Sequence, residues 1–195
     1  MYNQWANNKM KKYENWGAED RIDVTLLDQD VHYLSGEITE ENVAKAIKWI
    51  LSANLNKKPK RTLQLYVNST GGDLYETFAL IDVMKKSHHD ISTIGVGAIM
   101  SAAFLIFASG KQGKRYIGYN TGIMNHQHSD AMESKMHDMR SQMKENNNCE
   151  MRCLNILREA TGYSLADVRK KLNTPSDQYF TAKQMIDHKL ADHIL

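Results

Sequence analysis

An uncharged, mostly apolar run at residues 91–110 constrains the fold more than any other part of this 195-residue chain. It reads ISTIGVGAIMSAAFLIFASG and carries Ser101 at its centre. Because about 20 apolar residues can cross a bilayer as a helix, a membrane span is one interpretation. A buried strand followed by a buried helix is another. In a third, the junction between strand and helix holds the Ser101 hydroxyl for chemistry.

Side-chain type divides the run into two elements. Residues 91–96 are rich in β-branched side chains and predict a strand, whereas residues 98–109 predict a helix that ends at Gly110. Gly97 predicts a turn between them. Glycine and small polar residues in the first half disfavour a single spanning helix, so we expect no membrane association.

The neighbouring sequence predicts a second unit of the same kind. Leu63–Val67 alternates as a strand, Gly71 and Gly72 form a turn, and residues 74–86 repeat apolar side chains at helical spacing. Two strand–helix units in series predict an α/β sheet whose strand ends form a site.

Composition limits the other possibilities. We expect a polar N-terminal arm at 1–20, poorly ordered or in an oligomer contact, and a single domain at 21–195. The net charge is +2 and the sequence contains no strongly basic block, so nucleic acid is not an expected partner. Cys149 and Cys153 have no two further ligands at metal-site spacing, and no signal peptide is evident. We therefore expect reduced thiols, no metal and a cytoplasmic location.

Residues 130–161 predict a long, mostly polar helix with a narrow methionine stripe. The stripe consists of Met132, Met136, Met139 and Met143. A stripe this thin is too narrow for a core helix, and it suits packing against a partner helix.

Three side chains are candidates for serine hydrolase chemistry, which needs a hydroxyl, a base, an acid that orients the base, and donors for the oxyanion. Ser101 lies near the start of the predicted helix, where N–H groups and the positive dipole end would face it. His126 follows a strand-like segment, and Asp177 lies in a turn before another. No spacing rule joins the three, and a structural role stays open for each.

With their flanks, these residues resemble the proteolytic subunits of Clp proteases (ClpP), which are serine peptidases of the crotonase-like fold. The similarity runs from about Val31 to Leu195. Five segments resemble family patterns. Tyr33–Gly36 resembles ΦLxG, Leu65–Gly72 resembles LYINSPGG, and Gly97–Ala103 resembles GxAASMG. Met124–Gln127 resembles MIHQ, and Asp177–Ala182 resembles DRFLSA. The separation between Ser101 and His126 also matches the family.

The resemblance implies a role for each matching residue. It implies Ser101 as the nucleophile, His126 as the general base and Asp177 as the acid that orients it. The implied oxyanion donors are the backbone N–H groups of Gly72 and Ala102. The implied substrate contacts are Gly71, Gln127 and His128. No cofactor is implied, because only a partner ATPase would use ATP.

The resemblance also implies an architecture and an activity. The expected fold is α/β, of the ClpP/crotonase-like type with repeated ββα units, and its protruding handle helix spans about 130–161. Heptameric rings, single or stacked in pairs as a tetradecamer, would enclose a chamber. An endopeptidase there would cleave unfolded proteins and peptides, with an AAA+ unfoldase of the ClpX, ClpA or ClpC type as partner.

Departures from the family pattern keep alternatives open. His128–Met132 replaces a glycine-rich substrate-binding strand, Ser176 replaces an arginine that serves the contact between rings, and Thr70 replaces a proline. These departures indicate a divergent member, and a viral source is one interpretation. The alternatives are a non-catalytic or weakly active ring subunit that modifies a host assembly, and a related peptidase that processes viral capsid proteins.

Overall fold

A computed structural model of the chain describes residues 17–55, 59–127 and 135–195. The predicted α/β class is confirmed. In chain order the elements are α1 (Ala18–Asp28), β1 (Val31–Ser35), α2 (Glu40–Leu55), β2 (Thr62–Ser69), α3 (Leu74–Lys86), β3 (Asp90–Met100), α4 (Ala102–Ala108), β4 (Arg115–Ile117), β5 (Gly122–Asn125), α5 (Met136–Thr161), α6 (Leu165–Lys171), β6 (Gln178–Phe180), α7 (Ala182–Asp187) and β7 (His193–Ile194).

The described strands form one sheet, and β3 is its central strand. The order β1–β2–β3–β4–β7 has parallel pairing throughout. Thr93–Gly95 of β3 pair with β4, whereas Ala98–Met100 pair with β5. β5 then pairs antiparallel with β6. This change of partner brings β5 and β6 to the end of β3, where Ser101 follows.

The apolar run folds as a strand and a helix, as predicted, but the boundary between them differs. The predicted turn at Gly97 is wrong, because β3 continues to Met100 and α4 begins only at Ala102. Gly97 has φ of 65° and lies where the register between β2 and β3 shifts. Asn68 bridges the shift, since its Oδ1 accepts a hydrogen bond of 3.0 Å from the Ala98 N–H. The strand therefore bends at Gly97 without ending there.

Helix α4 lies entirely inside the domain. All seven of its residues are buried, because it is apolar on every side and has no polar face to turn to solvent. Phe104 stacks on Phe180 of β6 at 5.6 Å between ring centroids, and the Phe107 carbonyl accepts a hydrogen bond of 2.8 Å from Thr93. Among the helices of the described ranges, none is long and apolar enough to span a membrane.

The long helix α5 begins inside the predicted segment 130–161 and ends at its predicted last residue. Gly162 caps it in the left-handed conformation, with φ of 74°. Its C-terminal half packs into the core through buried Leu154 and Leu157. Met139 and Met143 of the predicted stripe are exposed, and Met132 lies outside the described residues.

The predicted N-terminal arm at 1–20 lies mostly outside the described residues and stays a prediction. Positions 1–16 lie outside the described residues, and α1 begins at Ala18, so the last positions of that segment are helical. Glu19 and Asp20 lie in the first turn of α1, where acidic side chains favour a helix N-terminus. That local preference favours a helix start at this position.

A buried ion pair joins β4 to the segment before β7. Arg115 is 2% exposed, and its guanidinium donates two hydrogen bonds to the Asp192 carboxylate, at 2.7 and 2.9 Å. The Arg115 backbone N–H adds a third, at 3.0 Å. Burial on its own would raise the pKa of Asp192, but the bonds from Arg115 outweigh it and hold that pKa below its ordinary value.

Asp192→Asn should lower the free energy of unfolding by about 3 kcal/mol at neutral pH, because it leaves the Arg115 charge buried and unpaired. Urea unfolding measures the loss. Asp187→Asn, on the exposed end of α7, is the matched control and should change little. A carboxyl with a lowered folded-state pKa stabilises above its unfolded pKa of about 3.9 and loses that contribution as pH falls. The difference between wild type and Asp192→Asn should therefore shrink in acid, and equal losses in both variants would contradict this account.

Candidate active site

Ser101 joins β3 to α4 in a strained backbone conformation. Its φ is 54° and its ψ is −123°. A non-glycine residue in such a region costs about 1–3 kcal/mol and occurs mainly at functional sites. The Ser101 N–H donates to the Met124 carbonyl, and its own carbonyl accepts from the Phe104 N–H, both at 3.0 Å. Strand β5 and the first turn of α4 therefore hold this conformation in place.

His126 directly follows β5 and contacts Ser101. Its Nε2 atom lies 2.7 Å from the Ser101 Oγ atom. The parallel register pairs Met100 with Met124, so Ser101 and His126, which follow the two strands, lie at the same edge of the sheet. The structure thus brings together two side chains that are 25 positions apart in the sequence.

Asp177 lies directly before β6, across the strand pair from His126. The antiparallel register pairs Asn125 with Gln178, and one further step places His126 opposite Asp177. Opposed residues in such pairs have Cβ atoms about 4.5–5.5 Å apart. The Asp177 side chain is nevertheless exposed, and in the described part of the chain no hydrogen bond or ion pair joins its carboxylate to His126. Its orienting role stays a prediction.

The glycine turn after β2 packs against Ser101. A Cβ atom on Gly71 would lie only 2.7 Å from the Ser101 Cβ atom, and Gly71 itself has φ of 112°. The turn is held by two hydrogen bonds: the Gly71 N–H donates to Ser69 Oγ at 3.0 Å, and the Gly71 carbonyl accepts from the Ile38 N–H at 2.8 Å. Only glycine allows the backbone to approach the serine this closely.

Two backbone N–H groups at the cleft are the predicted oxyanion donors. Among the described residues, neither the Gly72 N–H nor the Ala102 N–H donates to a backbone acceptor. Free N–H groups beside an attacking hydroxyl are what an oxyanion hole requires. The assignment of both as oxyanion donors, like the substrate contact predicted for Gly71, stays a prediction.

A cleft of about 340 Å³ opens beside Ser101 and His126. One wall comes from the middle and the C-terminal part of α5, through Asn146, Cys149, Glu150, Cys153 and Leu157. Sequence reasoning missed this wall, although the four-residue spacing of the cysteines does place both on one helix face. Burial raises the pKa of Cys153 to about 12, so its thiol is protonated at neutral pH. Within the described ranges, no three histidine, cysteine or acidic side chains converge as a metal site would.

Two amides that flank His126 tie it to the loop after α6. Asn125 Nδ2 donates to the Leu172 carbonyl at 2.6 Å, and Gln127 Nε2 donates to the Asn173 carbonyl at 3.3 Å. The Gln127 amide nitrogen therefore holds the loop, and its predicted contact with substrate stays a prediction. His128, predicted as a substrate contact, lies outside the described residues.

Comparison with known proteins identifies the family to which this site belongs. A sequence model of the family described as "Clp protease" matches residues 16–195. The chain belongs to the Clp protease family. It is similar to "ATP-dependent Clp protease proteolytic subunit 1" of Leifsonia xyli subsp. xyli, with 31% identity over 179 residues, covering 91% of this chain and 89% of that protein.

Two further relatives carry similar names. "ATP-dependent Clp protease proteolytic subunit 4, chloroplastic" of Arabidopsis thaliana is 31% identical over 92% of this chain and 60% of its own length. "ATP-dependent Clp protease proteolytic subunit 2" of Corynebacterium efficiens is 30% identical over 87% of this chain and 84% of its own length. The predicted resemblance is thus confirmed, and this Clp protease family member is a ClpP-like serine peptidase.

Gly71→Ala should slow labelling of Ser101 by a fluorophosphonate about 100-fold, because a displacement of about 1 Å near the reacting atoms costs that much. The new methyl group would displace Ser101 from its present position. Gly113→Ala is the matched control, since Gly113 also has a positive φ, of 82°, but no atom lies within 4 Å of the added Cβ. Labelling rates, compared at equal folded fraction by circular dichroism, check the prediction, and equal effects in both variants would refute it.

Proposed function

We propose that this chain is a serine endopeptidase in which Ser101 is the nucleophile and His126 the general base. The observation that carries the proposal is the 2.7 Å contact between Ser101 Oγ and His126 Nε2. At this distance the imidazole can take the hydroxyl proton as Oγ attacks a peptide carbonyl. Membership of the Clp protease family supports peptide bonds as the substrate.

The proposed reaction proceeds through an acyl-enzyme. Oγ of Ser101 bonds to the carbonyl carbon, Nε2 of His126 takes the proton, and the oxyanion accepts hydrogen bonds from the N–H groups of Gly72 and Ala102. The carbon–nitrogen bond then breaks as His126 gives its proton to the leaving amine. Water, deprotonated by His126, hydrolyses the ester and restores the serine. Asp177 would orient the imidazole once its carboxylate turns inward.

The proposed setting is a ring chamber that admits unfolded polypeptide. The relatives are named as proteolytic subunits of ATP-dependent proteases, which supports a homo-oligomer supplied by an AAA+ unfoldase in the cytoplasm. The exposed methionines Met139 and Met143 of α5 support a helix that packs against other subunits. The chain itself would use no cofactor.

The exposed carboxylate of Asp177 favours one second candidate, a weakly active or non-catalytic ring subunit within a mixed assembly. Native mass measured together with peptidase activity separates the two functions. Active, homogeneous rings formed by this chain alone would support the first. Activity that arises only after mixing with a competent host subunit would support the second.

Ser101→Ala should abolish both fluorophosphonate labelling and peptide hydrolysis, because it removes the attacking oxygen. Ser109→Ala is the matched control from the same apolar run, since the Ser109 hydroxyl donates to the Leu105 carbonyl of its own helix, at 2.8 Å. His126→Ala should reduce the rate by roughly 10³-fold or more. Labelling followed by peptide mapping checks the site. A wild type labelled no faster than Ser101→Ala would rule out the proposed function.

A further inference from the structure

We propose that the cleft beside Ser101 selects peptides with lysine or arginine directly before the scissile bond, and that the carboxylates of Glu150 and Asp73 bind the positive charge of that side chain. This inference rests on the proposed peptidase function and adds a substrate class to it. Glu150 and Asp73 determine specificity and touch no reacting atom.

The cleft places the substrate side chain between two helices. Ser101 and His126 lie at one end, and their 2.7 Å contact marks the cleft as a peptide site independently of its charge. The walls are the start of α3, with Asp73, and one face of α5, with Glu150. A peptide whose carbonyl carbon is attacked by Ser101 would project the side chain of that residue between these walls.

The charged side chains on the two walls are acidic. Apart from His126, the described residues that line the cleft include two with an ordinarily charged side chain, Asp73 and Glu150, and neither lysine nor arginine. A cleft lined by one sign of charge attracts ligands of the opposite sign. A lysine or arginine side chain is therefore the substrate group that these walls favour.

Both carboxylates are available to a ligand. Oδ1 of Asp73 accepts a hydrogen bond of 2.9 Å from the Glu76 N–H, and Oδ2 accepts none from the described residues. Glu150 Oε1 lies 3.8 Å from Arg169 Nε, which is beyond hydrogen-bonding distance. The Glu150 and Arg169 side chains are 37% and 48% exposed, so water screens this pair. Each residue can therefore accept a hydrogen bond from a substrate cation.

The two thiols of the α5 wall do not compete with Glu150 for a cation. Burial is the largest cause that raises the pKa of Cys153 to about 12, and the negative charge of Glu150 adds to it while Arg152 opposes it. The Cys153 thiol is thus neutral, and the negative charge next to it belongs to Glu150.

The inner part of the cleft suits a long apolar stem. Leu105 and Leu157 line it and are both buried, whereas Asp73 is exposed and Glu150 half-buried. Lysine and arginine combine an apolar stem with a charged head that stays near water. The stem would contact the leucines, and the head would reach the carboxylates nearer to solvent.

Two fluorogenic peptides test this preference, one with lysine and one with norleucine directly before the cleaved amide. Norleucine has the carbon chain of lysine without the ammonium group, so the ratio of the two kcat/KM values isolates the charge. Lysine should be favoured by about 10-fold at low salt, and salt should reduce the ratio by screening. A ratio of one or less at low salt would overturn the proposal.

Glu150→Gln should lower the lysine-to-norleucine ratio by about threefold or more, because it removes one of the two charges. Asp73→Asn should lower it too, and asparagine can still cap α3. Glu159→Gln is the matched control on the same helix, since Glu159 pairs with Lys85 outside the cleft. A ratio unchanged in Glu150→Gln, or lowered equally in Glu159→Gln, would overturn the role of Glu150.

Peptidyl diphenyl phosphonates separate failure of this inference from failure of the proposed function. They label an active-site serine without turnover, so labelling of Ser101 by the lysine and norleucine forms, followed by mass spectrometry, gives the same ratio in a weakly active chain. Faster labelling by the lysine form supports the preference. Equal labelling, or faster labelling by the norleucine form, overturns the preference and leaves the peptidase function standing. A wild type labelled by neither contradicts the peptidase function and the preference with it.

Discussion

Backbone strain at Ser101 persists only because three neighbouring elements hold the junction between β3 and α4. In β5, the Met124 carbonyl accepts a hydrogen bond from the Ser101 N–H, and the glycine turn after β2 packs against the Ser101 Cβ atom. Helix α4, which follows Ser101 directly, is buried at all seven of its residues. The strain costs about 1–3 kcal/mol, whereas burying a single large apolar side chain contributes about 1.5–3 kcal/mol. Burial of Phe104 and Phe107 alone therefore offsets it, and the serine keeps one orientation.

The bend at Gly97 links this junction to the rest of the site. Before the bend β3 pairs with β4, and after it β3 pairs with β5, which delivers His126 to Ser101. β5 in turn pairs with β6, whose preceding residue is Asp177. A shift of one residue in either pairing would turn the side chains to the opposite face of the sheet, so the site depends on register as much as on residue type.

The two halves of helix α5 lie in different environments, one at the exposed surface and one at the cleft. Its N-terminal half exposes Met139 and Met143, while its C-terminal half forms the cleft wall with Cys149 and Cys153. The side-chain amides of Asn125 and Gln127 join the end of β5 to the loop before β6.

The sequence by itself determined the α/β class, the division of the apolar run into strand and helix, and, through family resemblance, the pair Ser101 and His126. Local periodicity carries the fold class and the strand–helix division, because it records which side chains are apolar and at what spacing; the pair came from the resemblance alone. Only the tertiary structure decided that β3 continues past Gly97, since that depends on Asn68, which lies 30 positions away and bonds the Ala98 N–H. It also decided that α5 forms the cleft wall and that the Asp177 side chain is exposed. Such contacts join segments far apart in the sequence, and hydrophobic spacing within each segment does not encode them.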